Sequence, residues 1–109
     1  MANKRGRKTA IVTGGGGAIG GTISATLAEN GYDLAIWDLD EATAHATAER
    51  VEENGGRATV HRVDLTDDRG IDGAAGSTRD AHGSIDVIMG VVDMWTEPKP
   101  PVATIGHWR

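Results

Sequence analysis

The chain of 109 residues contains no cysteine and no phenylalanine, one tyrosine, and three prolines that all fall after residue 97. Without cysteine there can be no disulfide, no thiolate metal site and no cysteine nucleophile. That composition suits a reducing compartment, and a cytoplasmic location is expected. Apolar runs stay far short of the roughly 18 consecutive residues that a membrane-spanning helix needs. A basic run, Lys4, Arg5, Arg7 and Lys8, has no apolar stretch behind it and so does not read as a secretory signal. It is expected to be a flexible, solvated terminus over residues 1–8. Eleven Lys and Arg against sixteen Asp and Glu leave a net charge of −5, which argues against wholesale nucleic-acid binding.

What is abundant is glycine, sixteen residues, clustered at a few places without a period. With 39% hydrophobic and 25% charged residues, the composition is that of one small globular domain. Thr9–Thr13 is short, apolar and β-branched, the pattern of a buried strand. Gly14-Gly15-Gly16-Gly17-Ala18-Ile19-Gly20 follows it. Ile19, Ile23 and Leu27 then recur at the spacing of one helical face, and Asn30-Gly31 supplies a stop. Asp33–Trp37 reads as a second strand closed by Asp38. Asp40 is placed to cap a helix over residues 41–53, broken by Asn54-Gly55-Gly56. A third strand is expected over 58–63, a helix cap at Thr66, and a third helix over 67–81. Gly70, Gly73 and Gly76 weaken that helix, each by about 1 kcal/mol relative to alanine. A fourth strand is expected over 85–89. The order βαβαβαβ implies a parallel sheet with right-handed crossovers, half of a doubly wound α/β fold.

A strand, a glycine-rich turn and a helix together form a phosphate-binding device. Missing side chains let backbone N–H groups approach a pyrophosphate, and the helix N-terminus adds partial positive charge. A glycine cluster alone is a weak sign, since such turns are often purely structural. Here the context adds to it, because Asp38 lies 18 positions beyond Gly20, close to the spacing at which a carboxylate meets an adenosine ribose. No Gly-Lys-Ser/Thr sequence occurs, which excludes a P-loop.

On these residues the sequence resembles the short-chain dehydrogenase/reductases. Their signature is Thr-Gly, three residues, Gly, one residue, Gly. Thr13, Gly14 and Gly20 match it, and Ala18 stands where the middle glycine is expected. The likeness continues through Asp38, through Asp64-Leu65, and through Gly83-Ser84-Ile85-Asp86-Val87 to the segment Trp95–Pro100. The resemblance implies a Rossmann-like doubly wound sheet with strand order 3-2-1-4, of which this chain is the N-terminal half over residues 9–93, followed by a proline-rich tail over 94–109. It implies cofactor contacts from Thr13, Gly14, Gly16, Gly17, Ile19, Gly20 and Asp38, with Asp64 and Leu65 at the adenine. A carboxylate at Asp38 accepts from ribose hydroxyls and repels a 2′-phosphate, and no Lys or Arg follows it before Arg50. NAD is therefore expected over NADP.

Other family features are missing. Gly90-Val91-Val92-Asp93 stands where relatives carry Asn-Asn-Ala-Gly. The family's catalytic asparagine, serine, tyrosine and lysine lie beyond the stretch that this chain covers. Its single tyrosine, Tyr32, precedes the second strand and has no lysine four positions on. No catalytic residue is assigned. The four histidines, His45, His61, His82 and His107, lie at least 16 residues apart and are expected at surface or strand positions rather than around a metal. Trp37 is expected to pack a strand end beside the adenine. Trp95 and Trp108 read as hydrophobes without packing partners.

The resemblance thus implies an oxidoreductase that moves hydride between a nicotinamide and an alcohol or carbonyl substrate, with this chain supplying cofactor binding only. A non-enzymatic nucleotide-binding module is one alternative, and an S-adenosylmethionine-dependent methyltransferase fragment is another. An unpaired apolar edge at the fourth strand is an expected site of self-association.

Overall fold

The computed structural model describes residue 3 and residues 5–91. Asp93, the tail from residue 94, Trp95, Trp108 and His107 lie outside them. The elements are β1 (Lys8–Thr13), α1 (Ala18–Glu29), β2 (Tyr32–Asp38), α2 (Glu41–Glu53), β3 (Ala58–Arg62), α3 (Asp68–His82) and β4 (Val87–Gly90). All strand pairs are parallel in the order β3-β2-β1-β4, with Thr13 opposite Trp37, Asp38 opposite Arg62 and Thr13 opposite Gly90. Every strand therefore ends at the same edge of the sheet, and each strand–helix turn opens there.

Alternation along the strands divides the core into two layers. Ala10, Val12, Leu34 and Ile36 face α1 and α2, where Ala28, Ala44 and Val51 meet them. Ile11, Ala35 and Trp37 face α3, where Val63 and Ala74 complete the layer. A sheet covered on both faces is why β1 and β2 read as continuous apolar runs rather than alternating ones.

The helices correct several sequence expectations. The fully buried stripe of α1 is Gly20, Gly21, Ser24, Ala25 and Ala28, with Leu27 half-buried against the core beside it and Ile23 half-buried. Ile19 is 65% exposed. Small residues bring the helix axis close to the sheet, so the larger aliphatics are displaced to its flank. Asp40 caps α2 as expected, accepting from Ala42 N and Thr43 N. The cap of α3 is Asp67, which accepts from Arg69 N, and not Thr66. Thr66 instead gives both its N–H and its hydroxyl to Asp64 Oδ1, at 2.9 and 2.6 Å. α3 runs unbroken through its three glycines because Ala74, Thr78 and His82 are buried on one face. β4 starts two residues later than expected. Asp86 joins β1 through its own N–H to Thr9 O at 2.8 Å, and its carboxylate accepts from Thr9 N at 2.9 Å. Among the described residues β4 pairs only with β1, and Ile88 is 68% exposed.

At the N-terminal end of the strands Arg7 of the basic run is seated on a buried carboxylate, while Arg5 and Lys8 are exposed. Asp33 is 1% exposed. Arg7 Nε donates to Asp33 Oδ1 at 2.9 Å, and Arg7 Nη2 donates to the carbonyls of Ala28 and Tyr32. Asn3 Nδ2 bonds Asp33 Oδ2 and Thr9 Oγ1, while Arg57 N donates to Asp33 Oδ1. Burial alone would raise the pKa of Asp33. The Arg57 N–H, the Asn3 amide and the charges of Arg5 and Arg7 outweigh that and hold it below the ordinary carboxylate range. One carboxylate thus joins β1, β2, the loop before β3 and the N-terminal arm.

Removing one partner of a buried ion pair leaves the other charge and its donors unsatisfied, at a typical cost of about 3–5 kcal/mol. Asp33→Ala is expected to lower unfolding stability by about 3 kcal/mol in urea titration at pH 7, the low end because Arg7 keeps partial solvent access. Because the folded-state pKa is depressed, the contribution of Asp33 is complete above its unfolded value of about 3.9 and is lost as pH falls through the folded value. A variant within ~0.5 kcal/mol of the parent would contradict the assignment.

Candidate functional site

The opposite end of the sheet is built from missing side chains. After Thr13 the chain turns at Gly14, whose φ of +69° is open mainly to glycine and whose N–H bonds Trp37 O at 2.8 Å. A methyl on Gly14 would lie 2.5 Å from Val91 O. A methyl on Gly20 would lie 2.5 Å from Gly14 O and 2.6 Å from Gly15 Cα, so the first turn of α1 rests directly on the glycine turn. Gly15 O accepts the buried Thr47 hydroxyl at 2.8 Å, which fixes the turn to α2. Gly14 and Gly20 thus shape the turn, and Thr13 ends β1 opposite Trp37 and Gly90.

The start of α1 has no compensating group. Gly17, the N-cap, has no side chain to accept from the first-turn N–H groups, and no acidic residue lies in that turn. Gly17, Ala18 and Ile19 are exposed. A helix start without a side-chain cap, at the positive end of its dipole, is an environment that favours anions. Ala18, at the position of the family's middle glycine, sits on this exposed surface.

Asp38 closes β2 beside the turn. Its Oδ2 accepts from Gly16 N at 2.8 Å and its Oδ1 accepts from Asp40 N at 3.0 Å. Both oxygens are fixed in direction, and each retains a lone pair. A methyl on Gly16 would come within 2.8 Å of Asp38 Oδ2 and of Ala44 N, so only glycine lets the carboxylate and the start of α2 close on the turn.

Asp38 also lies on the wall of a cavity of about 280 Å³ lined by Gly14, Trp37, Asp38, Leu39, Val63, Asp64, Leu65 and Thr66. Leu39 and Leu65 are half exposed at its mouth, 54% and 50%. Trp37 forms its inner wall, held by its indole N–H to Thr78 Oγ1 at 3.1 Å. Asp64 is fixed by the Thr66 hydroxyl and N–H, which hold its pKa below the ordinary carboxylate range. Gly14, Asp38, Asp64 and Leu65 therefore meet in one cavity, Gly16 meets it through Asp38, and Gly17 and Ile19 lie on the exposed face of the neighbouring helix start. The sequence marks none of Leu39, Val63 and Thr66 as cavity residues, Thr66 being expected only as a helix cap. The available signal was Leu39, an apolar residue set between two aspartates in a loop.

Tyr32 lies at the other end of β2, about 20 Å from Asp38 by strand rise. Among the described residues no group of three or more His, Asp or Glu is arranged to hold a metal ion. No described helix is long and apolar enough to cross a membrane.

Two substitutions separate packing from exposure within the turn. Gly20→Ala is expected to lower stability by about 1–3 kcal/mol, because its methyl meets backbone that cannot rotate away. Gly17→Ser meets nothing within 4 Å and supplies the missing cap, so its stability is expected to equal the parent's or exceed it by up to ~1 kcal/mol. Paired thermal or urea unfolding checks both, and equal losses would contradict the described contact of α1 with the turn.

Comparison with known proteins agrees with this architecture. The profile of the short chain dehydrogenase family matches residues 8–102. An uncharacterized oxidoreductase of Thermotoga maritima is 33% identical over 82 residues, which is 75% of this chain and 32% of that protein. The 3-oxoacyl-[acyl-carrier-protein] reductase FabG of Chlamydia pneumoniae is 35% identical over 82 residues, 75% of this chain and 33% of that protein. Among solved structures, NAD+-bound xylitol dehydrogenase superimposes with TM-score 0.72 at 31% identity, covering 74% of this chain and 31% of the other. The hydroxysteroid dehydrogenase of Escherichia coli superimposes with TM-score 0.77 at 27% identity, covering 92% and 43%. The chain spans about a third of the length of the curated relatives it matches. The match sets aside the methyltransferase alternative: by sequence profile, by relatives and by fold, this chain belongs to the short-chain dehydrogenase/reductase family.

Proposed function

We propose that the chain is the cofactor-binding portion of an oxidoreductase and binds a nicotinamide dinucleotide, NAD in preference to NADP. The observation that carries this reading is Asp38, oriented by Gly16 N and Asp40 N between an uncapped helix start and an apolar cavity. The exposed N–H groups around Gly17 and Ile19 would meet the pyrophosphate, with Thr13, Gly14, Gly16 and Gly20 shaping the turn that allows its approach. Asp38 would accept from the ribose hydroxyls. Asp64 and Leu65, with Leu39 and Trp37, would border the adenine. Xylitol dehydrogenase and a metagenomic short-chain oxidoreductase, both similar in fold, were solved with NAD+ and NADP respectively, which supports the dinucleotide and leaves its type to Asp38.

The preference follows from charge. A 2′-phosphate placed about 4 Å from the Asp38 carboxylate would be repelled by roughly 1 kcal/mol per charge in water and about 4 at a partly buried surface. Gly15, Gly16 and Gly17 carry no cation to offset it. Nicotinamide supplies the hydride acceptor and donor chemistry when bound. The alcohol or carbonyl substrate, and the proton transfer that accompanies hydride movement, belong to a complete enzyme. With its one tyrosine at the far end of β2, this chain is proposed to bind cofactor without turnover, in a cytoplasmic setting.

Titration of NADH and NADPH by fluorescence or calorimetry tests the assignment. NADH is expected to bind more tightly than NADPH. Asp38→Ala is expected to weaken NADH by about tenfold, the loss of one charge-assisted hydrogen bond, and to narrow the gap to NADPH. Equal affinity of the parent for both dinucleotides, or an unchanged NADH affinity in the variant, would sink the NAD assignment.

A further inference from the structure

His82, the last residue of α3, is 1% exposed, although histidines at helix ends are commonly solvated. Its Nε2 lies 2.8 Å from Thr59 Oγ1, and the same oxygen lies 2.8 Å from Nε2 of His61 on β3. His82 Nδ1 is buried with no hydrogen-bond partner among the described residues. The Thr59 hydroxyl owns one proton, so it can donate to only one of the imidazoles and must accept from the other. A buried N–H without a partner is costlier than a buried bare acceptor. His82 therefore carries its proton on Nε2 and donates to Thr59, and Thr59 donates to His61. Both rings are neutral in this arrangement.

A second proton on His82 has nowhere to go. It would sit on buried Nδ1 with no acceptor, beside the Arg57 guanidinium that bonds Ala81 O at 2.9 Å. The charged groups facing His82 are Arg57 from the loop before β3, His61 from β3, Arg5 from the N-terminal arm and Asp33 from β2. Only Asp33 favours a cation, and its oxygens are already engaged by Arg7, Asn3 and Arg57 N. Burial first, and then Arg57, push the His82 pKa below the ordinary histidine value, and burial does the same for His61.

We propose that the half-buried His82–Thr59–His61 bridge, anchored by buried His82, is a pH-sensitive latch that holds α3 on the sheet while His82 is neutral. The rest of the α3 seat is small: Ile71, Ala74 and Ala75 pack on the Trp37 layer. Three glycines lower its intrinsic stability, and its buried face is Ala74, Thr78 and His82. Thr78, one turn before His82, holds the Trp37 indole on the inner wall of the cavity. Release of α3 would free that wall, so acidification weakens the nucleotide cleft as well as the fold; this last step rests on the nucleotide reading, and the latch itself does not.

The sign follows from linkage. The unfolded chain takes up protons at histidine below about pH 6.5, while the folded latch does not until the pH reaches its depressed values. Stability is complete above about pH 6.5 and falls as the pH drops through the window between unfolded and folded values. Each histidine involved raises the unfolding constant up to about tenfold per pH unit there.

Urea unfolding of the full chain between pH 7.5 and 5, compared with His82→Gln, tests the latch. Glutamine retains an N–H to offer Thr59 and cannot titrate, so its slope is expected to fall to that of His61 alone. In the parent, histidine NMR is expected to show His82 still neutral, in the Nε2–H form, below the ordinary histidine value of about 6.5. That spectrum decides the case even if the variant fails to fold. A His82 resonance titrating at the ordinary histidine value of about 6.5, or identical pH slopes in parent and variant, would overturn the proposal. Measurement of NADH affinity across the same pH range separates the two readings. Binding that weakens on acidification in the parent and less in His82→Gln supports coupling to the cleft. No NADH binding at any pH refutes the nucleotide reading while the unfolding and NMR arms still judge the latch.

Discussion

The contact on which the rest of the structure depends is the seat of α1 on the glycine turn. A single methyl at Gly20 would lie 2.5 Å from Gly14 O, so helix and turn approach as closely as backbone allows. That approach aims the helix N-terminus at the edge where the strands end, and it leaves the first-turn N–H groups facing outward without a cap. It also sets the height of α1 over the sheet, which is why its buried stripe is glycine, serine and alanine rather than isoleucine and leucine. A bulkier stripe would lift the helix and tilt its dipole away from the site.

A parallel sheet has two unlike ends, and this chain treats them oppositely. At the N-terminal end, Asp33 is saturated by Asn3, Arg7 and Arg57 N, and Asp86 completes the β1 edge through Thr9. Both carboxylates there are fully engaged. At the C-terminal end, polar groups are oriented but left open: the N–H groups around Gly17, the second lone pairs of Asp38 and the mouth between Leu39 and Leu65. The first arrangement holds strands together, and the second has the geometry of a ligand site. Buried polar groups that are fully partnered contribute stability and specificity, whereas oriented and unpartnered ones contribute recognition.

Much of this was legible in the residues. The βαβαβαβ order, the bounds of α2 and its Asp40 cap followed from composition and periodicity. The strand order 3-2-1-4 followed from the family resemblance. Gly14, Gly16 and Asp38 were expected to act together, and the structure joins Gly16 to Asp38 by a hydrogen bond. Three features were hidden for identifiable reasons. Period-four aliphatics in α1 misled because depth on the sheet, not hydrophobicity, selects the buried face. The seat of Arg7 was hidden because its partner, Asp33, lies 26 residues away in sequence. The burial of His82, expected at a surface or strand position, was hidden because the hydroxyl that holds it, Thr59, is on another element. Long-range polar pairing carries no local periodicity, so a single sequence does not reveal it.

The central claim is that the open end of the sheet, and not the charge-saturated end, receives a dinucleotide. Amide NMR of the full chain titrated with NAD tests it most directly. Shifts are expected to concentrate at Gly14–Gly20, Asp38–Asp40 and Asp64–Thr66, with Arg5–Arg7, Tyr32 and Asn54–Arg57 unmoved. Shifts centred on the Asp33 end, or an unchanged spectrum at millimolar NAD, would contradict the account.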